Sequence, residues 1–105
     1  DAVNYTEIFK EAEDNKEIYS FMDNVDVVFR RATEKDEQFT VLIFRMEIMN
    51  IKGRKLTDSG LTKHVLKILN ILERNFKVVK TYMTKEVDKA SNRLFCYLIV
   101  CIGTV

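Results

Sequence analysis

The sequence predicts an α+β fold, in which an N-terminal helical segment precedes a split β-α-β unit with a three-stranded mixed sheet of order 1-3-2. Three patterns predict it: apolar residues recur at helical spacing early in the chain, they alternate after residue 39, and they fill both faces of the closing segment. A length of 105 residues is that of one domain. We therefore treat residues 1–105 as a single domain, made of an acidic helical segment (1–38) and a basic βαββ body (39–105).

Residues 5–33 are predicted to be helical, with a break near residues 14–15 left open. Asn4 or Thr6 can cap the first helix, and Glu7 stands three residues after Asn4, at the spacing of a capping box. Further along, large apolar residues follow a spacing of three and four, which predicts one buried helix face. They are Ile18, Phe21, Met22, Val25, Val28 and Phe29.

The basic body is predicted to hold strands at 39–51, 76–84 and 93–102, with a helix at 60–75 capped by Asp58 or Ser59. The last strand is apolar on both faces, which is typical of the centre of a covered sheet. A helical crossover makes the first two strands parallel, and the third then fits between them, antiparallel to each. This arrangement is the predicted order 1-3-2.

The charge of the chain is unevenly distributed along its length. Residues 1–38 carry eleven Asp and Glu against five Lys and Arg, while residues 39–105 carry five against twelve. The net charge is nevertheless only +1. Such asymmetry indicates that the acidic part covers the basic part, that two copies pair through opposite charges, or that the basic part meets an anionic partner.

No motif indicates catalysis, a metal or a cofactor. His64 is the only histidine, and no phosphate-binding loop, zinc-binding helix or serine nucleophile motif is present. Cys96 and Cys101 are an odd number of residues apart on one predicted strand, so they point to opposite faces and are expected to be free thiols. We therefore expect a protein that is not an enzyme and that needs no cofactor.

The leading hypothesis is a protein-interaction or self-association domain, with a homodimer as one form. The hypothesis rests on the closing strand, which is apolar on both faces, and on the uneven distribution of charge along the chain. Two copies could associate by pairing strands at an exposed edge or by packing sheet faces together. The predicted interface residues are Arg45, Glu47, Tyr82 and Tyr97.

The alternative hypothesis is a module that binds a small anion or a nucleic acid at the turn before the second helix. Basic residues cluster there, and the first amides of a helix attract anions. The predicted ligand-binding residues are Lys52, Arg54, Lys55, Ser59 and Gly60. Nucleic acid is the less favoured ligand, because the net charge is close to zero and most aromatic residues fall in apolar phases.

Two further expectations concern location. The longest apolar run, Leu94 to Ile102, is about half the roughly 20 residues that a membrane helix needs, so no membrane association is expected. Free thiols favour a reducing compartment, the cytoplasm or the nucleus. The alternative is a secreted factor glycosylated at Asn4, within the acceptor sequence Asn4-Tyr5-Thr6.

Overall fold

The structure is an antiparallel β-sheet with one helix packed on each face. The computed structural model describes residues 3–50 and 52–103. In chain order its elements are α1 (Tyr5–Asp14), β1 (Tyr19–Met22), β2 (Val25–Glu34), β3 (Glu37–Asn50), β4 (Gly53–Arg54), α2 (Asp58–Asn75), β5 (Lys77–Asp88) and β6 (Arg93–Gly103). The strands lie in the order β1-β2-β3-β6-β5, each antiparallel to its neighbours, and the short β4 pairs with β3.

The two helices cover unequal parts of the sheet. Helix α2 has 18 residues and packs over the larger of two buried clusters, which we call the α2-side cluster. Its buried members are Val25, Val27, Leu42, Phe44, Met46, Ile48, Leu61, Ile68, Leu72, Cys96, Leu98, Val100 and Ile102. Helix α1 has 10 residues and packs over the α1-side cluster of Phe9, Ala12, Val28, Ile43, Phe95, Tyr97 and Ile99.

The predicted three-stranded mixed sheet of order 1-3-2 is wrong. The sheet has five strands besides β4, every neighbouring pair is antiparallel, and the two additional strands, β1 and β2, come from residues predicted to be helical. Of residues 5–33, only Tyr5–Asp14 form a helix. The acidic segment is therefore helical in its first part only.

The apolar spacing in residues 18–29 arises from a hairpin whose second strand is buried on both faces. Val27 belongs to the α2-side cluster and its neighbour Val28 to the α1-side cluster, so consecutive residues are both buried. In β1 the register shifts between Ser20 and Met22. The irregular β1 and the β2 strand buried on both faces together produce apolar residues at the three- and four-residue spacing of a helix. The valines of β2, at positions 25, 27 and 28, favour a strand.

Tight turns built without glycine hide the second hairpin in the sequence. Lys35 and Asp36 connect β2 to β3, with φ values of 50° and 65°. Positive φ at both central residues is the requirement of a type I′ hairpin turn, which usually selects Asn-Gly or Asp-Gly. Here Lys and Asp take that conformation, so the usual sequence signal is missing.

Both helices begin at a residue whose side chain caps the first turn. Asn4 caps α1, as predicted, and its side-chain oxygen accepts a hydrogen bond from the Glu7 amide at 3.1 Å. Helix α2 is capped by Thr57 instead of the predicted Asp58 or Ser59, with the Gly60 amide donating to Thr57 Oγ1 at 3.1 Å. A threonine oxygen at this position satisfies one of the free amides of the first turn.

Strand β6 lies inside the sheet, between β3 and β5. Cys96 is buried among the α2-side residues, while Cys101 lies opposite Val41 and Lys80 and is half-buried. Both thiols are free. Burial raises the pKa of Cys96 to about 11, which makes it an unreactive thiol at neutral pH.

Candidate functional site at the sheet edge

Three of the five residues predicted to bind an anion, Lys55, Ser59 and Gly60, make contacts within the chain. The Gly60 amide is bonded to Thr57, and Ser59 Oγ lies 3.2 Å from the same threonine hydroxyl. Lys55 Nζ donates to Glu47 Oε1 at 2.9 Å. Lys52 is exposed, and the side chain of Arg54 lies outside the described part of the structure. The anion-binding role of this turn stays a prediction.

Gly60 has a packing reason to be glycine. A Cβ atom added there would lie 2.9 Å from Cδ1 of Leu56 and 3.2 Å from Oγ1 of Thr57, both closer than ordinary van der Waals contact. The glycine thus lets Leu56 pack beside the start of α2. No bound ligand is needed to explain it.

Three of the four predicted interface residues are engaged inside the molecule. Tyr97 is fully buried under α1, where its hydroxyl lies 3.3 Å from Thr6 Oγ1, and burial raises its pKa. The Arg45 guanidinium binds Asp26 at 2.9 Å and lies over the rings of Phe9 and Phe95 at 4.6 Å and 4.9 Å. Tyr97 is thus buried within the chain, and its role at an interface stays a prediction.

Glu47 is the centre of an ion-pair group at one end of the α1-side face. It accepts two hydrogen bonds from Arg93, at 2.7 Å and 3.1 Å, and one from Lys55 at 2.9 Å. The bonds from Arg93 and Lys55 outweigh burial and lower the pKa of Glu47 to about 2. Because its partners are already in place, Glu47 acts as a structural ion, and only Tyr82 of the predicted set is freely exposed.

Tyr82 lies on β5, the edge strand that the structure leaves unpaired on its outer side among the described residues. The strand is 12 residues long, and exposed side chains lie on both of its faces. Its large exposed apolar residues are Val79, Tyr82, Met83 and Val87, each about half exposed at 48%, 55%, 49% and 55%. A long edge strand with exposed apolar side chains is a template for pairing with another strand.

The charges of β5 change along its length. Lys77, Lys80 and Lys85 are exposed and form no ion pair with any residue in the described ranges. Near the other end, Glu86 and Asp88 line a groove of about 580 Å³ between the strand and the start of α1. The strand is therefore basic where it begins and acidic where it ends.

Glu86 also fastens helix α1 to the sheet. Its carboxylate accepts hydrogen bonds from the backbone amides of Tyr5 and Thr6, at 3.1 Å and 3.0 Å, and from the Thr6 hydroxyl at 3.0 Å. A carboxylate at the amide end of a helix is favoured by both the free amides and the helix dipole. The end of β5 is thus tied to the first turn of α1.

A second opening lies on the α1 side near the other end of β5, where α1 does not reach. It has a volume of about 200 Å³ and is lined by Ala32, Thr33, Glu34, Phe39, Val41, Val79, Lys80 and Cys101. Most of this lining is apolar, and Val79 and Lys80 belong to β5. The sheet edge and the uncovered part of the α1-side face therefore form one continuous surface.

The sequence predicts a strand at 76–84 but does not mark β5 as the site. Two signals point to an edge position: β5 carries lysine at three of its positions, and it lacks the continuous apolar run of β6. The predicted order 1-3-2 also put this strand at an edge. What the sequence did not show was the length of the strand, which continues to Asp88.

Comparison with known proteins finds no matching family model, no matching curated protein and no matching solved structure. Within residues 3–50 and 52–103, no helix has the length and apolar character needed to cross a membrane. The same residues contain no group of three or more His, Cys, Asp or Glu side chains placed to hold a metal ion. The Asn4 side chain caps α1, and its glycosylation stays a prediction.

Proposed function

We propose that this chain is a non-enzymatic self-association domain in which β5 pairs with β5 of a second copy. The observation that carries this proposal is the outer side of β5, a 12-residue edge without a strand partner in the described ranges. Pairing two such edges joins two five-stranded sheets into one and satisfies backbone groups that otherwise face water.

The exposed apolar side chains of β5 support the same partner. Tyr82 and Met83 lie near the middle of the strand and point to opposite faces, since they oppose Ile99 and Leu98 on β6. A second copy of the strand covers both of them at once. A partner that packed on one sheet face would cover only one.

Charge also favours a second copy of this chain. An antiparallel pair of identical strands sets the beginning of one against the end of the other. The beginning of β5 carries Lys77 and Lys80, which form no ion pair within the described part of the chain, and the end carries Glu86 and Asp88. Opposite charges then meet twice, once at each end of the interface.

Sedimentation of the purified chain over a range of micromolar concentrations tests the proposal. We expect a reversible equilibrium between monomer and dimer. The double substitution Tyr82→Lys with Met83→Lys should raise the dissociation constant tenfold or more, because it removes apolar contacts and adds edge lysines, which oppose strand pairing. Circular dichroism should show an unchanged fold, since both side chains are half exposed.

Leu66→Lys is the matched control. Leu66 lies on α2 and is 55% exposed, as Tyr82 is, but it is not on the strand that pairs. The control should leave the dissociation constant unchanged. A chain that stays monomeric at every concentration would overturn the proposal, and so would a dimer that Leu66→Lys dissociates and the β5 double substitution does not.

A further inference from the structure

We infer that the two β5 strands pair in one register, with Met83 on the two-fold axis. This inference rests on the proposed self-association and specifies its geometry. It follows from three properties of β5: which face each side chain occupies, how charge runs along the strand, and where the apolar residues lie.

The faces of β5 restrict the possible registers. Directly opposed residues in an antiparallel pair lie on the same face of the sheet, so an α1-side residue must oppose an α1-side residue. Pairing with β6 places Lys77, Lys80, Tyr82, Thr84, Glu86 and Asp88 on the α1 side and Val78, Thr81, Met83, Lys85 and Val87 on the α2 side. Val79 is the extra residue at a register shift between Val78 and Lys80, and it has no separate partner.

With Met83 opposite Met83 of the second copy, every residue of β5 except Val79 is paired. On the α1 side this register sets Lys77 against Asp88, Lys80 against Glu86 and Tyr82 against Thr84. On the α2 side it sets Val78 against Val87 and Thr81 against Lys85. Symmetry repeats each pair, which gives four contacts between opposite charges and none between like charges.

Neighbouring registers fit less well. An axis at Tyr82 sets Val78 against Lys85 and leaves Val87 and Asp88 beyond the end of the opposite strand. An axis at Thr84 sets Met83 against Lys85 and Tyr82 against Glu86. The first register places half-buried Val78 beside a lysine, and the second places exposed Met83 and Tyr82 beside charged side chains. Each keeps only one kind of opposite-charge pair. The lysines that discourage indiscriminate edge pairing therefore favour the Met83 register.

The two carboxylates can accept these lysines while they keep their present contacts. An ionised carboxylate has about four acceptor positions, and Glu86 uses three of them on α1. Asp88 accepts from Ser91 Oγ and the Ala90 amide, and these bonds hold its pKa below the ordinary value although burial opposes them. Its charged neighbours are Lys10, whose Nζ lies 3.9 Å from Oδ1, and Arg93, which is opposite Asp88 on β6.

Cysteine cross-linking tests the register directly. In a Cys101→Ser background, Met83→Cys should form a disulfide-linked dimer under mild oxidation, because opposed Cβ atoms lie about 4.5–5.5 Å apart, near the span of a disulfide. Cys96 stays in place because it is fully buried. Tyr82→Cys and Thr84→Cys are the controls, and each should link to itself at least tenfold more slowly, since identical positions are then about 7–8 Å apart.

Charge reversal gives a second measurement that does not depend on cysteine. Lys80→Glu should raise the dimer dissociation constant about tenfold, because it places two pairs of like charges across the interface. Lys63→Glu makes the same change on exposed α2 and should have no effect.

The outcomes separate the register from the self-association. Fastest linking at Tyr82→Cys or Thr84→Cys, or equal effects of Lys80→Glu and Lys63→Glu, would overturn the Met83 register while a dimer is still observed. A parent chain that sediments only as a monomer would overturn the proposed function itself. Efficient linking at Met83→Cys with the predicted charge dependence supports both.

Discussion

The two faces of the sheet are held by different kinds of contact. On the α2 side, an 18-residue helix completes a cluster whose buried members are all apolar. On the α1 side, a 10-residue helix is fastened by Glu86, by the Thr6 and Tyr97 hydroxyls and by Arg45 over Phe9. The α2 side therefore supplies the main core, and the α1 side is a smaller layer secured by specific polar contacts.

This difference extends to the edges of the sheet. Helix α1 leaves part of its face uncovered near Phe39, Val41 and Cys101, and the exposed side chains of β5 adjoin that area. The less completely covered side of the sheet therefore adjoins the proposed β5 interface on one of its two faces. Three predictions test the contrast between the two faces, in order of expected effect.

The largest effect is expected from Phe44→Ala, which opens a cavity in the α2-side cluster. Phe44 is fully buried and packs edge-on against Phe21, with 4.9 Å between the ring centroids. We expect the free energy of unfolding to fall by about 4 kcal/mol. Phe9→Ala is the matched change on the α1 side, where Phe9 is 1% exposed. It should cost about 2 kcal/mol, because α1 can detach while the sheet and α2 stay folded.

Urea unfolding followed by circular dichroism measures both changes in the Phe44→Ala and Phe9→Ala variants. Hydrogen exchange should show faster exchange in α1 alone for Phe9→Ala and in all elements for Phe44→Ala. Equal losses of stability with the same exchange pattern would show that the two faces unfold as one cooperative unit and that α1 does not detach separately.

An intermediate effect is expected from Glu86→Gln, which keeps an acceptor oxygen and removes the charge at the start of α1. The loss of charge-assisted bonds to the Tyr5 and Thr6 amides should weaken the docking of α1 by about 1–2 kcal/mol. Hydrogen exchange at a concentration where the chain is monomeric measures it. Glu73→Gln on α2 is the control, and unchanged α1 exchange in Glu86→Gln would contradict the role of Glu86.

The smallest effect is expected from Glu47→Gln, at about 1 kcal/mol, because Arg93 and Lys55 are 40% and 52% exposed and solvent weakens their attraction. The folded pKa of Glu47 is about 2, below its ordinary value of 4.5. The ionised form is the one stabilised by folding, so its contribution is complete above about pH 4.5 and is lost as the pH falls toward 2.

The difference in unfolding free energy between the parent chain and Glu47→Gln should therefore shrink across that range of pH. Urea unfolding at several pH values measures it, with Glu37→Gln at the start of β3 as an exposed control. A difference that stayed constant down to pH 2.5 would show that the ion pairs with Arg93 and Lys55 contribute nothing to folding.

Sequence patterns identified the elements in which the apolar residues follow a single periodicity. Helix α2 and strand β6 were predicted because a helical stripe and a continuous apolar run each have one explanation. Strands β1 and β2 were missed because a register shift and a strand buried on both faces produced a helical spacing, and because Lys35-Asp36 made a turn without glycine. Local pattern cannot separate these cases; the pairing of β2 with β3 does.

The candidate site was harder to predict than the fold. One face of the sheet carries Arg45 and Glu47 on β3 and Tyr97 on β6. Alternation along each strand predicts which residues share a face, but only the position of α1 shows that this face is covered. Tyr82 was predicted to be exposed because most other aromatic residues fall in apolar phases, and it is 55% exposed. The polarity of charge along β5 became visible only when the strand was seen to extend to Asp88.

The stacking of Tyr5 on Tyr97 gives the molecule an optical signal of its own. The chain has no tryptophan and four tyrosines, and these two rings lie 5.6 Å apart where α1 meets the sheet. Because the contact holds both tyrosine rings in an asymmetric environment, they contribute to near-ultraviolet circular dichroism. The docking of α1 can therefore be followed without a label. Loss of this signal while the far-ultraviolet signal of the sheet persists distinguishes release of α1 from loss of the whole fold.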